Sequence, residues 1–175
     1  MAESFLYFGF ASNLLKERIG VRCPEAKFRT IATLKDYKVV FRNPSTPNHE
    51  GIWHGATATI VPSTGGIVWG AVWEIGNEYL DALNREDFVD KGVFRNFEVT
   101  VMTPDNKPLK CCCFQMCDPL PEPGFPSPHY LSVIVDGAIQ RGLPEDYIAA
   151  LKATPDNGYQ GKVNVMDDIV KNKTK

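Results

Sequence analysis

Ser4-Phe5-Leu6-Tyr7-Phe8-Gly9-Phe10-Ala11-Ser12-Asn13-Leu14-Leu15 changes character at Gly9. Residues 4–8 form a short apolar and aromatic run, the pattern of a strand buried on both faces near the middle of a sheet. Residues 9–13 then turn tightly into a short helix, with Ser12 or Asn13 as its N-cap and Gly20 as its stop. A strand that hands over at once to a helix sets an α/β organisation.

Outward from this point the chain becomes rich in strands. Residues 28–41 predict one long or two short strands, ending at the loop Asn43-Pro44-Ser45-Thr46-Pro47-Asn48. Residues 56–61 and 67–75 predict two more, joined as a hairpin through Pro62-Ser63-Thr64-Gly65-Gly66. In the second, Ile67, Trp69, Ala71 and Trp73 line one face and Val68 and Val72 the other, which marks a central strand. Asn77 is placed to cap a helix reaching about Asp87, with Tyr79, Leu80 and Leu83 as its buried stripe. Strands at 94–103 and 109–117 follow, around the turn Pro104-Asp105-Asn106-Lys107-Pro108. Half of residues 119–128 are proline, which predicts a stiff surface connection. Ser127 and Pro128 then open a helix over 129–141 that stops at Gly142. Short helices at 144–153 and 163–172 complete a single α+β domain spanning 1–175, with a disordered lysine-rich tail at 173–175.

The composition narrows what such a domain can do. With 175 residues and 43% hydrophobic content, the chain can close one substantial core. Lys and Arg total 19 against 21 Asp and Glu, a net charge of -2, so no large basic surface is on offer to nucleic-acid phosphates. DNA and RNA are not expected partners. No apolar run approaches the roughly 18 residues of a membrane span. The early acid Glu3 and the short apolar stretch after it do not suit a signal sequence, so a cytoplasmic location is expected. Of five cysteines, four crowd into Cys111-Cys112-Cys113 and Cys117, a poor disulfide framework and a good strand of reduced residues, with Cys111, Cys113 and Cys117 sharing a parity. His49, His54 and His129 are scattered singly, so no metal site is expected.

Three places could carry chemistry. In the turn at 9–13, backbone N–H groups at a helix start point outward with partial positive charge, and can hold a carboxylate or a developing oxyanion. The plainer alternative is that Ser12 or Asn13 only caps the helix. Asp87 lies four residues after Leu83 and seven after Leu80, on the apolar face of its helix, where partial desolvation would raise its pKa and suit it to shuttle a proton. If the helix has ended by Arg85, Glu86 and Asp87 are simply solvated. Tyr130, in the first turn of its helix, has a hydroxyl that needs a partner, either as a pocket residue or as a core tyrosine. Ser12 lacks a Gly-x-Ser-x-Gly elbow and an evident activating histidine, which disfavours a serine hydrolase.

Phe10-Ala11-Ser12-Asn13-Leu14 resembles the Tyr-Gly-Ser-Asn-Leu loop that follows the first strand in the γ-glutamylcyclotransferase family. The likeness extends over nearly the whole chain, through Glu3-Ser4-Phe5-Leu6-Tyr7-Phe8, Trp53-His54-Gly55, Val68-Trp69-Gly70, Pro126-Ser127-Pro128-His129-Tyr130, Gly142-Leu143-Pro144 and Gly161-Lys162-Val163. The resemblance implies a mixed sheet or small barrel with peripheral helices. It also implies conversion of a γ-glutamyl amino acid to 5-oxoproline and a free amino acid, by attack of the substrate's own α-amine and without metal or cofactor. By position, the amides of Phe10, Ala11, Ser12, Asn13 and Leu14 would hold the substrate carboxylate or oxyanion, and Tyr130 would line the pocket. Asp87 falls on the family's catalytic glutamate, with Glu86 as the neighbouring alternative. The chain departs from the pattern at Asp87, one methylene short, at Phe10-Ala11 in place of Tyr-Gly, and at Phe94 in place of a pocket tyrosine. A second reading, a catalytically weak member that binds a γ-glutamyl ligand or a protein, stands beside the first. Family members are often dimers, and the Val133-Ile134-Val135 helix is the surface to examine for one.

Overall fold

The computed structural model describes residues 3–43, 52–86 and 92–174. Among these, strands β1 (Ser4–Gly9), β2 (Lys27–Arg42), β3 (Thr57–Gly76), β4 (Phe94–Met102) and β5 (Pro108–Met116) close into a barrel in the order β1-β3-β2-β4-β5. Helices α1 (Lys16–Arg22), α2 (Leu80–Glu86), α3 (Pro128–Arg141), α4 (Glu145–Lys152) and α5 (Asn164–Lys173) lie outside it. The mixed α+β class with a small barrel is what the family resemblance implied.

β3 departs from expectation. No hairpin forms at Pro62-Ser63-Thr64-Gly65-Gly66; residues 57–76 run as one strand whose two halves both pair with β2. Tyr37 pairs with Pro62 and Lys35 with Ile67, so residues 63–66 bulge out opposite the single residue Asp36. Asp36 and Gly65 have positive φ, 66° and 81°, and the Asp36 carboxylate accepts the Gly65 N–H at 2.9 Å. Small turn-forming residues that would close a hairpin serve equally in a bulge, and the unbroken partner β2 selects the bulge.

β1 lies between β3 and β5, pairing antiparallel from Ser4↔Gly76 to Gly9↔Ala71 on one side and parallel at Tyr7↔Cys112 on the other. The barrel is also thinly paired between β2 and β4, at Thr33↔Met102. Polar contacts between β5 and β3 reinforce it. The Met116 N–H donates to Thr59 Oγ1 at 2.8 Å, and Gln115 Nε2 donates to the Ile60 carbonyl at 3.0 Å. Arg95 holds the Gln115 oxygen from Nε and Nη2, at 2.9 and 2.7 Å.

The proline-rich segment is extended as expected and lies against the end of β2. Asn43 N–H donates to the Glu122 carbonyl at 2.9 Å, and Ala56 N–H to that of Phe125 at 3.0 Å. Ser127 Oγ then accepts the Tyr130 N–H at 3.1 Å and Gly142 closes α3 at φ 73°, the capping its sequence foretold. Other expectations fail. Gly20 does not stop α1, which continues to Arg22 because Ile19 is buried and Asn172 of α5 donates to the Glu17 carbonyl at 2.8 Å. Val133 and Ile134 are core residues, 2% and 1% exposed, so the 133–135 stretch is not a free apolar surface. α5 reaches Lys173, and Thr174 Oγ1 donates to the Lys171 carbonyl at 2.9 Å.

α3 reaches the barrel through Gly137, where an added Cβ would lie 2.6 Å from Leu14 Cβ and 2.7 Å from the Leu15 nitrogen. Backbone cannot yield there as a flexible side chain could. Gly137→Ala is expected to destabilise the protein by a net of about 1–2 kcal/mol, overpacking outweighing the gain in helix propensity. Thermal unfolding should show Tm lowered by about 2–8 °C; an unchanged or raised Tm would contradict this close approach.

Candidate functional site

At Gly9 the chain leaves β1, and Ser12–Leu14 form one turn of 3-10 helix, with the Leu14 N–H donating to Ala11 O at 3.0 Å and the Leu15 N–H to Ser12 O at 3.3 Å. The leading amides of such a turn, at Ser12 and Asn13, have no acceptor inside it. Neither Ser12 nor Asn13 caps a helix. Ala11 and Leu15 occupy the cap positions of the turn and of α1, and no side-chain cap is made at either.

Asn13 is held differently. Its side-chain amide donates to the Tyr7 hydroxyl at 2.9 Å, and its carbonyl accepts the Trp73 indole N–H, also at 2.9 Å. Gly9 permits the fold-back, since a Cβ there would stand 3.1 Å from the Asn13 oxygen. Trp73, 1% exposed, is itself fixed by Phe28, edge-on at 5.6 Å, and by the Arg141 guanidinium 5.1 Å from its ring. Burial lowers the Arg141 pKa, with Glu17 opposing. Phe10 and Ser12 are 9% exposed, Leu14 is fully buried, and Ala11 is half-buried.

Tyr130 stands in the core, its hydroxyl accepting the Ala58 N–H at 3.0 Å. Its ring packs on Trp53 at 4.9 Å and edge-on to Phe41 at 6.3 Å. The buried Arg18 guanidinium lies 5.5 Å from the Trp53 ring, so this stack links Tyr130 to α1, directly after the turn. Phe94 pairs with Met116, whose N–H is bound by Thr59, the neighbour of Ala58. Through Met116 the backbone of Phe94 is thus linked to the start of β3, where the Tyr130 hydroxyl is also bound.

Asp87 lies outside the described residues. Glu86 ends α2, and Leu83 is buried, as the apolar stripe required. Asn77 does not cap this helix: it sits in a preceding 3-10 turn, where its N–H donates to the Glu3 carbonyl at 3.0 Å and its side chain to the Glu3 carboxylate at 3.3 Å. Tyr7, Trp73, Arg18 and Trp53 were not singled out as site residues. Each is a buried side chain with a polar tip, and for Tyr7 and Trp73 that tip inside an apolar strand pattern is the one local signal that it holds something.

An open cavity of about 400 Å³ lies along the β1–β5 seam, lined by Phe5, Leu6, Asn96, Phe97, Glu98, Lys110, Cys111 and Cys112. Among the described residues, none of the predicted site residues lines it. Burial pushes the Cys111 thiol up to about 11 and that of Cys112, with Cys111 beside it, up to about 12, so neither is a nucleophile at neutral pH. Among the described residues, no group of three or more His, Cys, Asp or Glu side chains is placed to hold a metal.

Fold and turn together define the class: an α+β barrel protein whose strand-to-helix turn presents backbone amides. Residues 67–151 match the AIG2-like family. The chain is 43% identical to γ-glutamylcyclotransferase of Bos taurus and 41% identical to that of Homo sapiens, in each case over 97% of this chain and 89% of the relative. A solved γ-glutamyl cyclotransferase structure superposes with a TM-score of 0.89 at 41% identity, covering 97% of this chain and 99% of that one. The chain belongs to the γ-glutamylcyclotransferase family.

The Tyr130 hydroxyl holds a buried backbone N–H, so Tyr130→Phe leaves the Ala58 amide without that acceptor. A loss of about 1–3 kcal/mol is expected, read as a Tm lower by about 2–12 °C. A Tm within a degree of wild type would show that this bond contributes nothing.

Proposed function

We propose that this chain is a γ-glutamylcyclotransferase, releasing an amino acid from a γ-glutamyl amino acid and forming 5-oxoproline. The observation that carries the reading is the turn at 10–14, pinned to two strands at Asn13, in a chain 43% identical to a γ-glutamylcyclotransferase over almost its whole length. The substrate α-amine attacks the γ-carbonyl carbon, the new C–N bond closes a five-membered ring, and the bond to the departing amino acid breaks. The protein's tasks are to fold the substrate, stabilise the oxyanion and move one proton.

Of the amides expected at residues 10–14, that of Leu14 is taken up by the Ala11 carbonyl, so those of Ser12 and Asn13, without an acceptor inside the turn, take the substrate carboxylate or the oxyanion, and Tyr130 and Phe94 shape the wall. Asp87 takes a proton from the α-ammonium and returns it to the leaving amine. Its carboxylate is one methylene shorter than the family's glutamate, a displacement of the order that costs about a hundredfold in rate if nothing compensates. This departure and Phe10-Ala11 favour the second reading, a weak catalyst that binds γ-glutamyl ligands. All five cysteines are free thiols, which suits the reducing cytoplasm. A homodimer would use a surface other than residues 133 and 134.

Turnover of γ-glutamyl-alanine, followed as 5-oxoproline, tests the reading. Asp87→Asn is expected to lower kcat by about a hundredfold or more, and Glu86→Gln to stay within about twofold of wild type. Loss confined to Glu86→Gln would move the proton shuttle by one residue. A wild type that binds the substrate without turning it over would establish the second reading.

A further inference from the structure

We propose that Tyr7 is a positioning residue of the site: through Asn13 it sets the direction of the turn's amides. The inference rests on the reading of residues 10–14 as the substrate-binding turn. Tyr7 and Trp73 are direct cross-strand partners in the β1–β3 ladder, so their side chains stand on the same face of the barrel wall. Their polar tips converge on one residue. The Tyr7 hydroxyl takes the side-chain amide of Asn13 and the Trp73 indole takes its carbonyl, each at 2.9 Å.

Two anchors on different atoms fix what one would leave free. The indole bond sets the plane of the peptide after Asn13, and the hydroxyl bond sets the direction of its Cα–Cβ bond. With both satisfied, the residue cannot rotate about its own backbone without losing one of them. The Leu14 N–H is closed onto the Ala11 carbonyl, and the Asn13 N–H, which has no acceptor inside the turn, is thereby aimed before any ligand arrives, which is the requirement for electrostatic preorganisation. Tyr7 is suited to the task because its ring is 6% exposed and packed edge-on to Phe114 at 5.9 Å, so the hydroxyl position is set by the barrel. This also explains why an asparagine that caps no helix stands at residue 13: its amide is the donor that a phenolic oxygen can accept.

The test is a double-mutant cycle on kcat/KM with γ-glutamyl-alanine, using Tyr7→Phe, Asn13→Ala and both together, with amide hydrogen exchange of the ligand-free proteins alongside. Tyr7→Phe keeps the ring and its packing, so the fold is retained. If Tyr7 acts through Asn13, Tyr7→Phe lowers kcat/KM by about tenfold in the wild type and by less than about twofold in the Asn13→Ala background. Exchange at Leu14 and Leu15 accelerates by about tenfold, with amides of the distant β4–β5 pair unchanged. Independent, additive losses, or a Tyr7→Phe enzyme within about twofold of an active wild type, overturn the proposal and leave the proposed function standing. A wild type without turnover removes the proposed function instead. The exchange rates then decide: faster exchange confined to the turn supports the positioning role, and unchanged exchange overturns it.

Discussion

The indole N–H of Trp73 lies inside the protein, on a side chain 1% exposed, and a buried donor must find an acceptor or cost a few kcal/mol. The Asn13 carbonyl supplies that acceptor. Much of the site's geometry follows from this one requirement. It draws the chain leaving β1 back across the end of β3, which in turn needs Gly9 for close approach, and a 3-10 turn in place of a direct entry into α1. Leu14 and Leu15, carried inward by the turn, become the surface on which Gly137 of α3 rests. One buried polar atom thus connects strand pairing, turn conformation and helix docking.

The barrel supplies the rigidity that such a turn needs. β3 runs along nearly all of β2 while its second half also pairs with β1, so Trp73 is fixed from both sides. Where the wall is thinly paired, at Tyr7↔Cys112, Tyr7 itself sits at the pairing point with its ring against Phe114. The residue that closes the barrel at this seam is the same one that holds Asn13. Stability and site geometry are therefore not separable there, and a change that loosened the seam would also re-aim the turn.

Local signals in the sequence were legible where local physics controls the outcome. The apolar run at 4–8, the Ser127-Pro128 start and Gly142 stop of α3, and the strands around Asp105-Asn106 all form where propensity and capping agree with packing. The failures share a cause. Pro62–Gly66 has the chemistry of a hairpin, yet β2 stays as partner and turns it into a bulge; Gly20 has the chemistry of a stop, yet α5 packs on that helix and carries it on. The site shows the same division. A turn at residues 9–13 could be read from its glycine and small polar residues, and the need of the Tyr130 hydroxyl for a partner from its place in the first turn of α3. What could not be read was that Asn13 is bound by Tyr7 and Trp73, because those contacts depend on a cross-strand register that no short stretch encodes.

In the proposed function, ligand chemistry occurs at the turn held by Tyr7 and Trp73, not in the cavity along the β1–β5 seam. Titration of the uniformly ¹⁵N-labelled protein with 5-oxoproline, followed by amide chemical shifts, tests it most directly. The largest shifts are expected on residues 10–14 and on the indole N–H of Trp73. Shifts concentrated instead at residues 96–98 and 110–112, with the turn unmoved, would contradict it.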